Sequence, residues 1–470
     1  MPQINKVMTT KQAWIWCNMN IKTNSKYVKK NDIFICTHDE LEDRHKYIND
    51  IKKASAIIVD KDTKKHGEIP LIKVNNTNDT LFDIYSKYYE NPLENLDIIA
   101  VTGTDGKTTT ASVIKDLLKS FEETAYLGTN GFIYKDKNIK TQNTTPAINT
   151  ILKYANILKE ENIKNLVMEA SSEGLLHNRC QNLKFKRAII TNVTGDHLNI
   201  HKTFENYLNS KLKLFKLLEK DGIAIINTDD ISYNHIKKMK INTISYGSKK
   251  NADYKIENIK EEKNKTTFIL KHKGKTFKIE SPLLGRFNVY NLTASIACLN
   301  SLDIDIHNLI EKIKNIKPIS GRMNIFYTKK NAQIILDYAH TLKSTTEILT
   351  FANKIKEGKI ITVVGSAGGR EKEKRKDIGK IVTELSDEVI LTTDDPRYEK
   401  VENIIKDLTK TCTKNNYIFI KNRKKAIKTA IKKANQNDLI LILGKGTDNY
   451  MAIKNKYKKY NDLKVIKKYI

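Results

Sequence analysis

Residues 101–110 read "VTGTDGKTTT", and this stretch decides how the rest of the chain is read. Before it, "DIIA" (97–100) is short and apolar; after it, Val113, Ile114, Leu117, Leu118 and Phe121 recur at helical spacing. Strand, glycine loop and helix in that order form a phosphate cradle. Gly103 and Gly106 let backbone N–H groups approach phosphate oxygens, and the helix N-terminus adds a positive dipole. Lys107 would reach the β- and γ-phosphates, and the Thr108 hydroxyl would hold Mg²⁺. The usual P-loop, G-x-x-x-x-G-K-[ST], wants glycine at position 101, which here is Val101.

Working outward, "NLVMEA" (165–170), "RAIITNV" (187–193) and "GIAIINTDD" (222–230) are apolar runs that end in polar loops, as parallel strands do. Upstream, "IFIC" (33–36), "SAIIV" (55–59) and "PLIKV" (70–74) predict a small α/β domain ending near "YYENPLENL" (88–96). Downstream, Pro and Gly interrupt the pattern at "IKPISGRMN" (316–324). Beyond it "AQIILDYAH" (332–340), "KIITVVGSAGG" (359–369), "DEVILTTDDP" (387–396) and "DLILILGKG" (438–446) predict strands again. The expected fold is α/β in three domains, over residues 1–92, 93–318 and 319–470. The first is small, the second a P-loop-type parallel-sheet ATPase domain and the third Rossmann-like. The tail "NKYKKYNDLKVIKKYI" (455–470) reads as a closing strand or helix. Ligands gather at the carboxyl ends of strands in such sheets, where most of the unusual polar residues fall.

Composition narrows the class. The chain has 470 residues, 39% of them hydrophobic and 29% charged, as in a globular protein of several domains. Its five cysteines (Cys17, Cys36, Cys180, Cys298, Cys412) are single and odd in number, so neither a zinc site nor a disulfide frame is expected. "MPQINKVMTT" lacks a basic region followed by an apolar stretch, and no apolar run approaches bilayer length, so a cytoplasmic location is expected. The net charge of +29 is spread along the whole chain rather than gathered on one arm or helix. That distribution predicts no nucleic-acid partner, although it would draw in polyanionic small substrates.

The phosphate loop resembles "GT[ND]GKT" of the Mur ligases, whose strand runs into the loop without the missing glycine. The resemblance continues in order over nearly the whole chain. It covers "NSKYVKKNDIFI" (24–35), "NTTPAINT" (143–150), "MEASSEGLLHNR" (168–179) and "TNVTGDHLNIHKTFENYLNSKLKLF" (191–215). It resumes in "GRFNVYN" (285–291), "GRMN" (321–324), "DYAHT" (337–341), "VVGSAGGREKEKR" (363–375), "TTDDPR" (392–397) and "LGKGTDNY" (443–450). The D-x-P-R and G-K-G elements resemble the members that add the third residue of the peptidoglycan stem. The implied activity is ATP-dependent amide formation on UDP-MurNAc-L-Ala-D-Glu by a monomer acting on small molecules.

That reaction needs an activated carboxylate, which ATP supplies as an acyl phosphate, and the phosphate charge must be neutralised by metal and lysine. Glu169, at a strand end, and Thr108 would hold one Mg²⁺ through oxygen. The resemblance implies a second Mg²⁺ on His197 and on Lys211, carbamylated so that a cation becomes an oxygen ligand. It implies ATP contacts from Gly103, Thr104, Asp105, Gly106, Lys107, Thr108 and Thr109, and from Asn291, Arg322, Asp337 and His340 lining one cleft across a domain boundary. It assigns the nucleotide-sugar peptide to Ser25, Asn143, Thr144, Thr145, Ser171, His177 and Arg179 in the N-terminal and central domains. The amine falls to Arg370, Asp394, Asp395, Pro396, Arg397, Gly444 and Asp448. Arg397 favours meso-2,6-diaminopimelate, whose distal carboxylate lysine lacks.

The chain departs from the family pattern at several points. Asn24 and Lys26 replace Asp and Arg, Glu173 stands where His is common, Gly195 replaces Arg, and Asp448 replaces Glu. His177 stands where Gln is frequent. The shorter Asp448 leaves lysine, ornithine or another diamine open as substrate. A Mur-type ligase acting on another carboxylate, such as a folate glutamyl chain, is a second reading. A non-catalytic basic binding protein is a third.

Overall fold

A computed structural model describes residues 20–64 and 67–470. Cys17 and the N-terminal stretch read above for a leader lie outside them. The chain builds three α/β units, each on its own sheet.

The first sheet is wholly parallel, in the order β1 (Ile21–Lys22), β2 (Ile33–Ile35), β3 (Ala56–Val59), β4 (Leu71–Lys73). Alternation along β2 sends Ile33 and Ile35 one way and Phe34 the other. Ile33 and Ile35 join the same core as Leu127, Leu166 and Ala188 of the second sheet, so the first two units share a hydrophobic seam.

The second sheet has eleven strands. Its parallel centre is β5 (Asp97–Thr102), β6 (Thr124–Gly128), β9 (Asn165–Glu169), β10 (Phe185–Ile190), β11 (Leu218–Asn227) and β12 (Thr243–Gly247). Strand β5 lies inside it, between β9 and β10, with Ile98 and Ala100 in one core and Ile99 and Val101 in the other. A strand buried on both faces has to be a continuous apolar run, which is what "IIAV" (98–101) is. The sheet is extended by β7 (Gly131–Tyr134) and β8 (Lys137–Ile139) at one edge and by β13 (Tyr254–Glu261), β14 (Thr266–His272) and β15 (Lys275–Ser281) at the other. These additions are antiparallel hairpins, apart from the parallel β12–β13 pair.

The third sheet is ordered β16 (Asn324–Tyr327), β17 (Gln333–Asp337), β21 (Leu439–Leu443), β18 (Ile360–Val364), β19 (Glu388–Leu391), β20 (Tyr417–Phe419). All pairs but β16–β17 are parallel. The tail forms both of the expected elements, a strand Lys456–Lys459 in a hairpin and a helix Asp462–Tyr469. Among the described residues no helix is long and apolar enough to cross a membrane.

A buried ion pair ties that last helix down. Arg423 and Asp462 have side chains 1% and 0% exposed, joined by Nη2–Oδ2 at 2.7 Å and Nε–Oδ1 at 3.0 Å, and Arg423 also donates to the Leu443 carbonyl. Arg423→Leu leaves the Asp462 charge buried and unpaired, so stability in urea unfolding is expected to fall by about 3–5 kcal/mol. A loss under 1 kcal/mol would show the pair to be dispensable.

Candidate active site

Val101 answers the anomaly in the phosphate loop. It is fully buried in β5 and registers with Ile189 on β10 and Glu169 on β9, so position 101 is still sheet and needs no glycine. The loop proper is residues 103–106. Gly103 (φ 145°) and Gly106 (φ 85°) adopt left-handed backbone, and a Cβ would lie 1.9 Å from Thr191 Oγ1 or 2.4 Å from Asn291 Oδ1. The end of β10 clamps the loop: Asp105 N donates to Asn192 Oδ1 at 3.1 Å, while the Asp105 carbonyl accepts from Thr191 Oγ1 at 2.6 Å. Neither Thr191 nor Asn192 stood out in the sequence as a site residue.

The loop opens on a cleft between the second and third units, whose lining includes Gly106, Thr109, Asn291, Arg322 and Asp337. Arg322 Nη2 donates to Thr108 Oγ1 at 3.3 Å, and Thr341 Oγ1 donates to Asp105 Oδ2 at 3.1 Å, so the third unit touches the loop directly. Asp337 accepts from the Met323 and Ala339 amides, and burial pushes its carboxyl above the usual range. His340, expected beside Asp337, lies elsewhere: its ring turns to the neighbouring cleft, because Nδ1 bonds the Tyr338 carbonyl at 2.8 Å.

Two lysines converge below the loop. Lys107 Nζ donates to the carbonyls of Gly103 (2.9 Å) and Thr104 (2.8 Å), and Lys211 Nζ donates to the same Gly103 carbonyl at 2.8 Å. Lys211 is 1% exposed, with Nζ 4.3 Å from the centre of the Tyr207 ring. Burial lowers both amines, and for Lys211 the nearby Lys107 charge lowers it further, well below the ordinary lysine range.

Glu169 is completely buried at the end of β9. Its Oε2 accepts from Thr108 Oγ1 at 3.0 Å and Thr129 Oγ1 at 3.2 Å; its Oε1 accepts from Thr129 N at 3.0 Å and from the Tyr126 hydroxyl. A carboxylate beside a threonine hydroxyl at a phosphate loop fits Mg²⁺, which takes a few protein oxygens and shares the rest with phosphate. Among the described residues no group of three or more His, Cys, Asp or Glu is placed to hold a metal unaided. His197 (φ 57°) flanks Tyr207 as Lys211 does, with ring centres 6.3 Å apart. Burial pushes its imidazole down to about 3, leaving it neutral with a lone pair free for a ligand.

At the far side, Thr145 Oγ1 lies 3.1 Å from Ser171 Oγ, and Arg179 Nη1 donates to the Thr145 carbonyl at 3.1 Å. Thr144 Oγ1 sits 3.1 Å from Thr129 Oγ1, which links this group, and Asn143 beside it in sequence, to Glu169. His177 reaches back to the first unit, with Nδ1 3.0 Å from Asp39 Oδ2. Ser25 lies in the first unit on a short 3₁₀ turn, and Asn24 caps that turn by accepting from Lys26 N, as the family's aspartate would. Gly195 faces open space, since a Cβ there would meet nothing within 4 Å.

A second cleft brings His197 and His340 together with Arg370, Asp394, Asp395, Arg397, Gly444 and Asp448. Lys445, 1% exposed, faces three acids there: Asp395 at 2.8 Å, Asp448 at 3.5 Å and Asp394 at 3.8 Å. Burial raises the carboxyls of Asp394 and Asp448. Three acids against one lysine leave a surplus of negative charge or proton-accepting groups beside two guanidinium groups. Pro396 packs with its carbonyl where a Cβ on Gly368 would fall, 2.0 Å away, which keeps the loops of Arg370 and Arg397 adjacent. Arg375, fully buried, braces both loops through Glu399 and the Ala367 carbonyl. Glu173 Oε1 stands 3.5 Å from His197 Nδ1 and 4.0 Å from Arg370 Nη1, and Lys374 pairs with Asp196 at 2.9 Å. Lys445, Lys374 and Asp196 lie inside quoted motifs, and only their contacts across the fold mark them out.

Residues 101–299 match the family profile "Mur ligase middle domain" and residues 321–446 match "Mur ligase, glutamate ligase domain". The chain belongs to the Mur ligase family. It is an ATP-dependent acid–amino-acid ligase of that family. A Clostridium tetani member named UDP-N-acetylmuramoyl-L-alanyl-D-glutamate--2,6-diaminopimelate ligase is 38% identical over 466 residues, covering 96% of this chain and 94% of that one. The second such ligase of Clostridium acetobutylicum is 36% identical over 462 residues, covering 96% and 95%. A solved structure of a UDP-N-acetylmuramoyl-L-alanyl-D-glutamate--2,6-diaminopimelate ligase superposes with a TM-score of 0.65 at 26% identity, covering 96% of this Mur ligase and 94% of its own chain. The coverage takes in the first sheet as well as the two regions that the profiles match.

Proposed function

We propose that this Mur ligase joins meso-2,6-diaminopimelate to UDP-MurNAc-L-Ala-D-Glu at the expense of ATP. The observation that carries the reading is the second cleft, where Arg370 and Arg397 stand beside Asp394, Asp395 and Asp448 together with His197. Guanidinium groups hold carboxylates and acidic groups hold ammonium, and diaminopimelate presents both at each end. The names of relatives 36–38% identical along nearly the whole chain support the same amine.

The chemistry divides between the clefts. A carboxylate oxygen of the D-Glu residue attacks the γ-phosphorus of ATP, the bond to the β–γ bridging oxygen breaks, and ADP leaves. Gly103–Thr109 cradle the transferred group, and Lys107 and Arg322 face the developing charge. The neutral amine then attacks the acyl carbon, inorganic phosphate departs, and the amine gives up its proton. Thr108 and Glu169 would hold one Mg²⁺, and His197 with carbamylated Lys211 a second; when bound, these ions offset phosphate charge. Thr144, Thr145, Ser171, His177 and Arg179, with Ser25 and Asn143, hold the nucleotide-sugar peptide along the far side.

The test is phosphate release with ATP, Mg²⁺ and UDP-MurNAc-L-Ala-D-Glu, supplying meso-diaminopimelate, L-lysine or L-ornithine in turn. Turnover with diaminopimelate is expected. Turnover with lysine or ornithine alone would overturn the choice of amine. Arg397→Ala should lower kcat/KM for diaminopimelate roughly a hundredfold, the loss of a charged bidentate contact, and change that for lysine far less. An equal loss for both amines would remove Arg397 as the selector.

A further inference from the structure

Five carboxylates line the nucleotide cleft: Asp105, Asp229, Asp230, Asp337 and Glu347. Four already accept hydrogen bonds from the protein. Asp105 takes the Thr341 hydroxyl at 3.1 Å, and Asp229 takes the Tyr290 hydroxyl at 2.8 Å. Asp230 takes the Val193 and Ser232 amides, both at 2.9 Å, and Asp337 those of Met323 and Ala339. Among the described residues no hydrogen bond or ion pair engages the Glu347 carboxyl. A polar group that faces a cleft with its bonding capacity unspent is available to a ligand.

Its position says which part of the ligand. The helix Leu342–Ile355 begins at the phosphate loop, where its N-cap Thr341 holds Asp105. Glu347 lies ~9 Å further along the axis at the helical rise per residue. That displacement carries it past the phosphates toward the base of a nucleotide anchored at Gly103–Lys107. The cleft is also lined there by Phe287, Tyr290 and Ile348, and Phe287 packs on the core cluster that contains Ile348. Aromatic and aliphatic walls suit a purine ring. Burial pushes the Glu347 carboxyl up to about 7, with Asp105 adding to the rise and Lys343 and Arg286 opposing it. A protonated carboxyl offers one acceptor and one donor side by side.

We infer that Glu347 reads the Watson–Crick edge of adenine, its carbonyl oxygen accepting from the N6 amino group and its hydroxyl donating to N1. Guanine presents an acceptor and a donor in the reverse order, so the same carboxyl selects ATP over GTP. The inference rests on the nucleotide cleft and not on which carboxylate or amine is joined.

Equilibrium binding of ATP, GTP and purine riboside triphosphate (which lacks the N6 amino group), with Mg²⁺ and no other substrate, tests it independently of the ligation chemistry. The wild type should bind ATP roughly tenfold more tightly than either analogue. Glu347→Gln, whose amide presents the same acceptor and donor, should hold ATP within about twofold of wild type. Glu347→Ala should weaken ATP roughly tenfold and purine riboside triphosphate much less. Wild-type protein that binds the three nucleotides alike would overturn the assignment. So would a Glu347→Ala loss equal for ATP and purine riboside triphosphate, which would put the carboxyl on the ribose.

Discussion

Replacing Lys211 by alanine lowers kcat by roughly 10²–10³-fold, and a short carboxylic acid added to the buffer restores part of it. The expectation comes from the pocket. Two amines share the Gly103 carbonyl, and burial together with the Lys107 charge drives Lys211 toward its neutral form. A neutral amine is the form that adds CO₂, and the carbamate so formed would be an anion with two oxygens in place of the amine. It would remove the repulsion with Lys107 and supply what His197 alone cannot, a hard oxygen ligand. Formate or acetate diffusing into the Lys211→Ala cavity replaces that charge; chloride does not. The kcat of the variant with and without each additive is the measurement, and a variant that keeps wild-type kcat removes the carbamate from the account.

Lys107→Met should be more damaging, with kcat down about 10³-fold and the far-UV spectrum and melting temperature little changed. Among the described residues Lys107 makes only the two loop-carbonyl contacts, so its removal leaves the clamp on Asp105 from Thr191 and Asn192 intact. The loss would fall on the charge opposite the departing ADP oxygen, which forms during the reaction and would weigh little on ground-state binding. KM for ATP should therefore move less than kcat. A variant with unchanged kcat and a much raised KM would make Lys107 a binding residue only.

Much of this molecule could be read from the order of its residues, and the reasons are local. The β5–loop–helix unit is legible because a doubly buried strand is an unbroken apolar run and because the loop glycines have no substitute where Thr191 and Asn291 press in. The hairpin extension β13–β15 was not foreseen: "YKIENIKE" (254–261) alternates with polar residues facing out, a weaker signal than the central strands give. Val101 looked like a defect in a motif, and its pairing to Glu169 shows that it belongs to the sheet. His340 and Asp337 are three positions apart, yet the bond from His340 to the Tyr338 carbonyl turns the histidine into the other cleft. Lys445 and Glu347 were invisible for a shared reason. One is singled out by Asp394 and Asp395 from a distant loop together with nearby Asp448, and the other by having no partner among the described residues; neither property has a sequence period.

The account centres on ATP being spent to make an acyl phosphate, and isotope transfer tests that directly. UDP-MurNAc-L-Ala-D-Glu labelled with ¹⁸O in the D-Glu carboxylates is incubated with ATP, Mg²⁺ and meso-diaminopimelate, and the released phosphate is weighed by mass spectrometry. One ¹⁸O in each phosphate, matched by formation of the tripeptide product, is the predicted result. Product formed with unlabelled phosphate would contradict it.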